Sequence, residues 1–168
     1  MFKRLLLVLL ATCLLASTGQ AATTLLLNDQ GASQILTSYF NGTLPSNKNL
    51  QLKLFCNNIT PSDTDTTSTY TECSGGGYTT GGAVLTNGSW TVSASGGIEQ
   101  AAYAQQTFTF TGPLTTNTTI YGYYIVDNAG TPNVIYVQLL NAPMTPVNNG
   151  DALKITPIFQ LSRGVPQP

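Results

Sequence analysis

The segment that decides the fold reads LQLKLFC over Leu50–Cys56. Leucine occupies every second position from 50 to 54 and Cys56 continues the series, while Gln51, Lys53 and Phe55 fill the positions between. A period of two is typical of a β-strand with one buried face. The segment therefore predicts one half-buried strand and a β-structure from residue 50 onward.

The same pattern predicts six further strands, which are separated by turn-forming pairs such as Asn87-Gly88 and Gly112-Pro113. They cover residues 69–73, 89–93, 102–111, 119–126, 134–140 and 152–161. Pro157 lacks an N–H group, so it predicts an edge strand or a bulge in the last of them. About seven short strands with such turns predict an all-β fold, an antiparallel β-sandwich of the jelly-roll type.

One short helix is predicted ahead of the strands. Apolar side chains recur there at helical spacing, at Ala32, Ile35, Leu36 and Tyr39. Asn28 or Asp29 is placed to cap the start of this helix, and Gly42 to end it. The segment therefore predicts one short amphipathic helix.

Residues 1–21 have the three parts of a secretory leader: Lys3 and Arg4, an apolar run over Leu5–Leu15, and a small-residue site at Gly19–Ala21. The run is short of the roughly 20 residues that span a bilayer as a helix, so no membrane anchor is predicted. Cleavage near Ala21 would leave residues 22–168 as a single β-sandwich domain. A lipoprotein signal ending at Cys13 is the alternative, as is an uncleaved apolar segment packed on the domain.

Cys56 and Cys73 are the two cysteines that remain after residue 21. An even number of cysteines in an exported protein predicts a disulfide. The alternative is a pair of buried thiols, because sequence alone does not show that the two residues come within bridging distance.

Composition excludes several classes of function. The chain has no histidine, which removes the commonest general base, the Ser/His and Cys/His pairs and the usual zinc ligand. Only 8% of residues are charged, and without Lys3 and Arg4 the net charge is −3, unlike the clustered basic residues of a nucleic-acid-binding protein. The sequence predicts no catalytic residues, no cofactor and no nucleic-acid partner, and hence a protein that is not an enzyme.

The acidic residues allow two weaker hypotheses. Glu72 with Glu99, or Asp63 with Asp65, could form the carboxylate pair of a glycosidase, but neither pair stands among the groups of a sugar subsite. Asp63 and Asp65 also have the alternate spacing of a calcium loop. That loop lacks the glycine and the later glutamate of an EF-hand, so a solvated loop and no metal site are predicted.

Three aromatic residues are candidates for packing or for an interface. Trp90 lies in a predicted strand, where an aromatic side chain is more often a core residue than a sugar platform. Tyr121 and Tyr123 are predicted to share one face of the strand over 119–126, whose other face is also apolar. Such a strand lies in the middle of a sandwich or against a neighbouring subunit, and the sequence leaves both open.

Several short motifs follow one another in a fixed order between residues 25 and 162. They are LKLFCNNITP at 52–61, then Tyr70–Glu72, Gly76–Tyr78, Ser89–Val92, Tyr103–Phe108, Ile120–Tyr124 and finally Asn149–Asp151 leading into Leu153–Pro157. This order resembles a family of small structural proteins of tailed bacteriophages. The resemblance implies a virion component, a capsid decoration or tail-associated protein, whose partners are other virion proteins or further copies of itself.

The expected function is therefore that of a virion structural protein that acts by protein–protein docking. The leader and Cys56 depart from the family, since virion proteins assemble in the cytoplasm and a small residue such as serine is expected at position 56. These departures favour the alternative, a secreted or periplasmic β-sandwich that binds a glycan or a protein at a surface. The expected location is the virion, or alternatively the exported fraction.

Overall fold

A computed structural model describes residues 26–40, 49–95, 98–127 and 130–162. The predicted leader at 1–21 and Gly42, which is predicted to end the helix, lie outside these residues. The described part contains one helix, α1, and twelve strands, which confirms the all-β class with one short N-terminal helix. The bounds are β1 Leu26–Leu27, α1 Asp29–Phe40, β2 Leu50–Phe55, β3 Ser74–Gly75, β4 Ala83–Leu85, β5 Thr91–Ser95, β6 Ile98–Ala102, β7 Gln106–Thr109, β8 Leu114–Thr116, β9 Ile120–Asp127, β10 Val134–Met144, β11 Ala152–Ile155 and β12 Ile158–Ser162.

The strands form one large sheet and three small ones, and all the pairings are antiparallel. The large sheet has the order β1-β10-β9-β2-β4, and the small ones pair β11 with β7, β12 with β6 and β5, and β3 with β8. These pairings, within the residues described, do not establish a jelly roll.

Strand β9 is the inner strand on which the rest is assembled. It pairs with β2 on one side and β10 on the other, and its side chains belong to two separate apolar clusters. The first core contains Tyr123 and Ile125 with the β7 and β11 side chains. The second core contains Tyr124 and Val126 with Phe55. Phe55, which the alternation assigned to an open face, is therefore fully buried.

The alternation along β9 reverses at Gly122, and this corrects the prediction that Tyr121 and Tyr123 share a face. Tyr123 lies in the first core, whereas Tyr121 packs against the second. The pairing with β10 is irregular at the same point: Leu139 pairs with Gly122 but Met144 pairs with Ile120, so the extra residues of β10 stand opposite Tyr121.

Helix α1 begins as predicted, since the Asn28 side-chain oxygen accepts a hydrogen bond of 2.9 Å from the Gln30 N–H. The apolar side of this helix is not fully buried. Ile35 and Leu36 are 38% and 57% exposed. The side that faces the sheet carries Gly31, where an added Cβ would lie 2.5 Å from the Ile135 carbonyl oxygen. Because only glycine permits this approach, the small and polar side of the helix lies inward.

Three predicted strands also differ from the structure. Residues 69–73 form the end of a 3-10 turn, Thr67–Thr69, and a single bridge between Glu72 and Phe55. The strands predicted over 102–111 and 152–161 are each broken. The second breaks at Pro157, where β11 leaves its pairing with β7 and β12 begins its pairing with β6. The Pro157 carbonyl accepts a 2.9 Å hydrogen bond from the Tyr103 N–H at this corner.

The close packing at β9 gives a direct test. A Cβ at Gly122 would lie 2.4 Å from both the Gln138 carbonyl oxygen and the Phe55 ring. We expect Gly122→Ala to lower the free energy of unfolding by about 1–3 kcal/mol, because the second core has to shift. Gly130→Ala is the control, since a Cβ there meets nothing within 4 Å. Equal urea midpoints for the two variants would contradict this packing.

Candidate functional site

The predicted disulfide is present. Cys56 and Cys73 are bridged, with their Cα atoms 5.1 Å apart and a sequence separation of 17. Two backbone hydrogen bonds flank it, from Cys56 N–H to the Thr71 carbonyl at 2.8 Å and from Cys73 N–H to the Leu54 carbonyl at 3.0 Å. The bridge thus closes residues 56–73, called here the disulfide loop, directly against the end of β2.

The disulfide loop covers the second core. Its Tyr70 ring stacks on Tyr124 with centroids 5.0 Å apart, and lies 5.1 Å from the Phe55 ring. Tyr70 also donates its hydroxyl to an Asp65 carboxylate oxygen at 2.7 Å. The loop therefore acts as the lid of the core and is held to it by both apolar and polar contacts.

The Asp63–Asp65 pair is part of this support. The Asp65 carboxylate accepts hydrogen bonds from Tyr70 and from the Ser62 N–H, at 2.7 Å each. Asn28 donates its side-chain amide to the Asp65 carbonyl at 2.7 Å, which joins the loop to the start of α1. In the part of the chain that is described, no group of three or more His, Cys, Asp or Glu residues could hold a metal ion.

Glu72 supports the glycine-rich segment. One carboxylate oxygen accepts from the Tyr78 hydroxyl at 3.0 Å and from the Gly81 N–H at 2.6 Å, and the other lies 3.1 Å from the Lys53 amine. Glu99, its hypothetical partner, lies on β6 in the three-stranded sheet. Glu72 thus joins the segment after the disulfide to β2.

The aromatic candidates occupy different environments. Trp90 packs against the first core and meets the Tyr103 ring edge-on at 5.2 Å. Tyr123 is fully buried and donates its hydroxyl to the Gln138 side-chain oxygen at 2.5 Å, an atom that also accepts from Tyr136. Tyr121 is half-buried and borders an open concavity.

That concavity has a volume of about 430 Å³ and lies where the disulfide loop meets the turn between β8 and β9. It is called here the amide concavity. Cys56–Asn58 form one wall, and Asn117–Thr119 with Tyr121 form the other. The side chains that line it include amides, hydroxyls and one aromatic ring, and none of them is charged.

A second surface feature is the outer face of α1, formed by Ile35 and Leu36. The helix is held to the sheet by Gln30, whose side-chain oxygen accepts from the Val134 N–H at 3.0 Å. The Gln34 amide donates to the Asp127 carboxylate at 2.5 Å. These contacts present the two apolar side chains outward in a defined orientation.

Comparison with protein-family models, with curated proteins and with solved structures finds no match to this chain. Of the described residues, no helix has the length and apolar character needed to cross a membrane.

Sequence reasoning missed both surfaces. The two walls of the amide concavity are about 60 residues apart in sequence, and the only local signal was the asparagine-rich composition of their turns. The sequons Asn58-Ile59-Thr60 and Asn117-Thr118-Thr119 lie there, but such triplets arise readily in a chain rich in these residues. The sequence places Ile35 and Leu36 on an amphipathic helix but does not show that they are exposed.

Buried phenols stabilise the fold only while they are neutral. Burial is the main cause that raises the pKa of five tyrosines above the ordinary value of 10.0, and the negative charge of Glu72 adds to it at Tyr78 and Tyr124. The five are Tyr70, Tyr78, Tyr123, Tyr124 and Tyr136. Above the unfolded pKa, these tyrosines keep protons in the folded state that the unfolded chain loses. Their contribution to the free energy of unfolding is therefore complete below the unfolded pKa and is lost as the pH rises towards the folded pKa.

We therefore expect the free energy of unfolding to fall steeply above about pH 10. The variant Tyr124→Phe should weaken this dependence by about 1.4 kcal/mol per pH unit, because one titrating group is removed. Urea unfolding of both proteins between about pH 8 and pH 11 measures the two slopes, with the lower end as the control for unchanged packing. Identical slopes would contradict a buried neutral phenol at position 124.

Proposed function

We propose that this protein is a structural module that docks on a larger protein assembly and turns over no substrate. The assembly is a phage virion, as the resemblance of the ordered motifs implies, with a capsid or tail protein as the partner. The observation that carries the docking role is the outer face of α1, where Ile35 and Leu36 are exposed on a helix that hydrogen bonds hold to the sheet.

The design of the helix supports this role. An amphipathic helix ordinarily buries its apolar side, whereas in this one Gly31 makes the close approach to Ile135 and Ile35 and Leu36 stay exposed. Gln30 accepts a hydrogen bond from the Val134 N–H and Gln34 donates one to the Asp127 carboxylate, so polar side chains hold the helix and the exposed apolar side chains remain for a partner. Laying an apolar helix face in a groove is a common mode of protein recognition.

Charge also favours a protein partner. The low charge content and the net negative balance offer no basic patch for a nucleic acid. The partner surface that would suit Ile35 and Leu36 is an apolar groove whose rim places no carboxylate against Asp29, the acidic residue in the first turn of the helix.

The second candidate function is a secreted or periplasmic binding module. The disulfide between Cys56 and Cys73 favours it, because such bonds form and persist in oxidising compartments. The predicted leader points to the same location.

The docking proposal is tested by incorporation into particles. The double variant Ile35→Lys/Leu36→Lys keeps good helix formers at both positions and adds charge to the outer face. We expect it to melt at the wild-type temperature and to be depleted about tenfold or more from gradient-purified particles, as measured by quantitative mass spectrometry, since charge is costly in an apolar interface.

Val147→Lys is the matched control, because Val147 is 59% exposed but lies outside α1. It should enter particles at the wild-type level. Normal incorporation of the double variant would overturn the role of the outer face. Absence of the wild-type chain from particles, with a form beginning at Ala22 in the exported fraction, would replace the virion proposal with the secreted module.

A further inference from the structure

We propose that the amide concavity binds a neutral oligosaccharide. This role is separate from docking through α1, because the concavity belongs to the disulfide loop and the β8–β9 turn. Its volume of about 430 Å³ lies within the range of roughly 300–1,000 Å³ that small-ligand sites occupy.

The walls of the concavity are fixed in advance. The Asn57 side chain is engaged at both ends: its amide donates to the Thr69 carbonyl at 2.9 Å and its oxygen accepts from the Thr71 N–H at 2.8 Å. Cys56 is held by the disulfide. On the other wall, the Thr119 hydroxyl lies 2.8 Å from the Thr145 hydroxyl. A ligand would therefore pay little to order this site.

The hydrogen-bonding groups left for a ligand are the amides of Asn58 and Asn117. Both side chains are exposed, and within the described residues neither makes a hydrogen bond to the protein. Each amide carries two donors and an acceptor, so a pair of them matches the hydroxyls of a sugar, which also donate and accept. Thr118, which follows Asn117 on the same wall, adds a hydroxyl group.

Tyr121 supplies the apolar part of the site. It packs against the second core and also lines the concavity, so its ring is held in place while part of it remains open. A fixed aromatic ring with a polar end suits ligands that are themselves part apolar and part polar, as the C–H face of a pyranose is.

The absence of charge among the lining residues selects the ligand class. A phosphate, sulfate or carboxylate group would have no cationic side chain to pair with among the lining residues. A cationic ligand would likewise have no carboxylate to pair with there. Neutral sugars need neither. Because Asn58 and Asn117 both head Asn-x-Thr triplets, a covalently attached glycan in place of a bound one is an outcome that the test must recognise.

The test uses the full chain, exported to a bacterial periplasm so that the disulfide forms and no N-glycan is added. The variants are Asn58→Ala and Asn117→Gly. Asn117 has a φ of 49°, which glycine adopts without strain, so the second variant removes the amide and keeps the turn. Asn87→Ala is the control, because it removes an exposed asparagine that begins an Asn-x-Ser triplet outside the concavity.

The probes are an array of uncharged oligosaccharides, followed by calorimetric titration with maltotriose, mannotriose, lactose and chitotriose. We expect wild type and Asn87→Ala to bind a common set of sugars, and each concavity variant to bind them about fivefold to tenfold more weakly. Binding that is equal in all four proteins, or no binding at millimolar sugar, overturns the proposal. So does mass spectrometry of the natively produced chain that finds glycans attached at Asn58 or Asn117.

Discussion

An inner strand that is apolar on both faces has to be covered twice, and this constraint organises the molecule. β9 is buried along nearly its whole length between β2 and β10. Its first face is covered by the side chains of β7 and β11, which pair with each other. Its second face has no sheet above it among the described residues and is covered by the disulfide loop, through Tyr70. The disulfide, the Asp65 contacts and the Asn28 amide all serve to hold that cover.

The two candidate surfaces follow from the same arrangement. The amide concavity exists because the disulfide loop meets the β8–β9 turn beside Tyr121, at the point where the pairing of β9 with β10 is irregular. The outer face of α1 exists because the helix closes the end of β9 through Asp127 and approaches β10 through Gly31. In both places, residues that stabilise the fold on one side leave uncharged groups open on the other.

The sequence predicts those features that depend on local pattern. The alternation in β2, the apolar run of β9, the Asn28 cap and the cysteine pair all have local signals, and the structure contains each of them. The inward side of α1 could not be predicted, because periodicity selects Ile35 and Leu36, whereas the close backbone approach at Gly31 decides the packing. The burial of Phe55 depends on a loop that returns 15 residues later. The concavity depends on contact between segments far apart in the chain, and no periodicity reports that.

The central claim is that the disulfide loop completes the core on the second face of β9. Residue-resolved hydrogen exchange of the wild type and of Cys56→Ser/Cys73→Ser tests it most directly. We expect the variant to lose protection in the loop and also in the β2 and β9 amides, by up to about 3 kcal/mol, the stabilisation expected for a loop of this length. Loss of protection confined to the loop, with β2 and β9 exchanging as in the wild type, would show that the core is complete without its cover and would contradict this account.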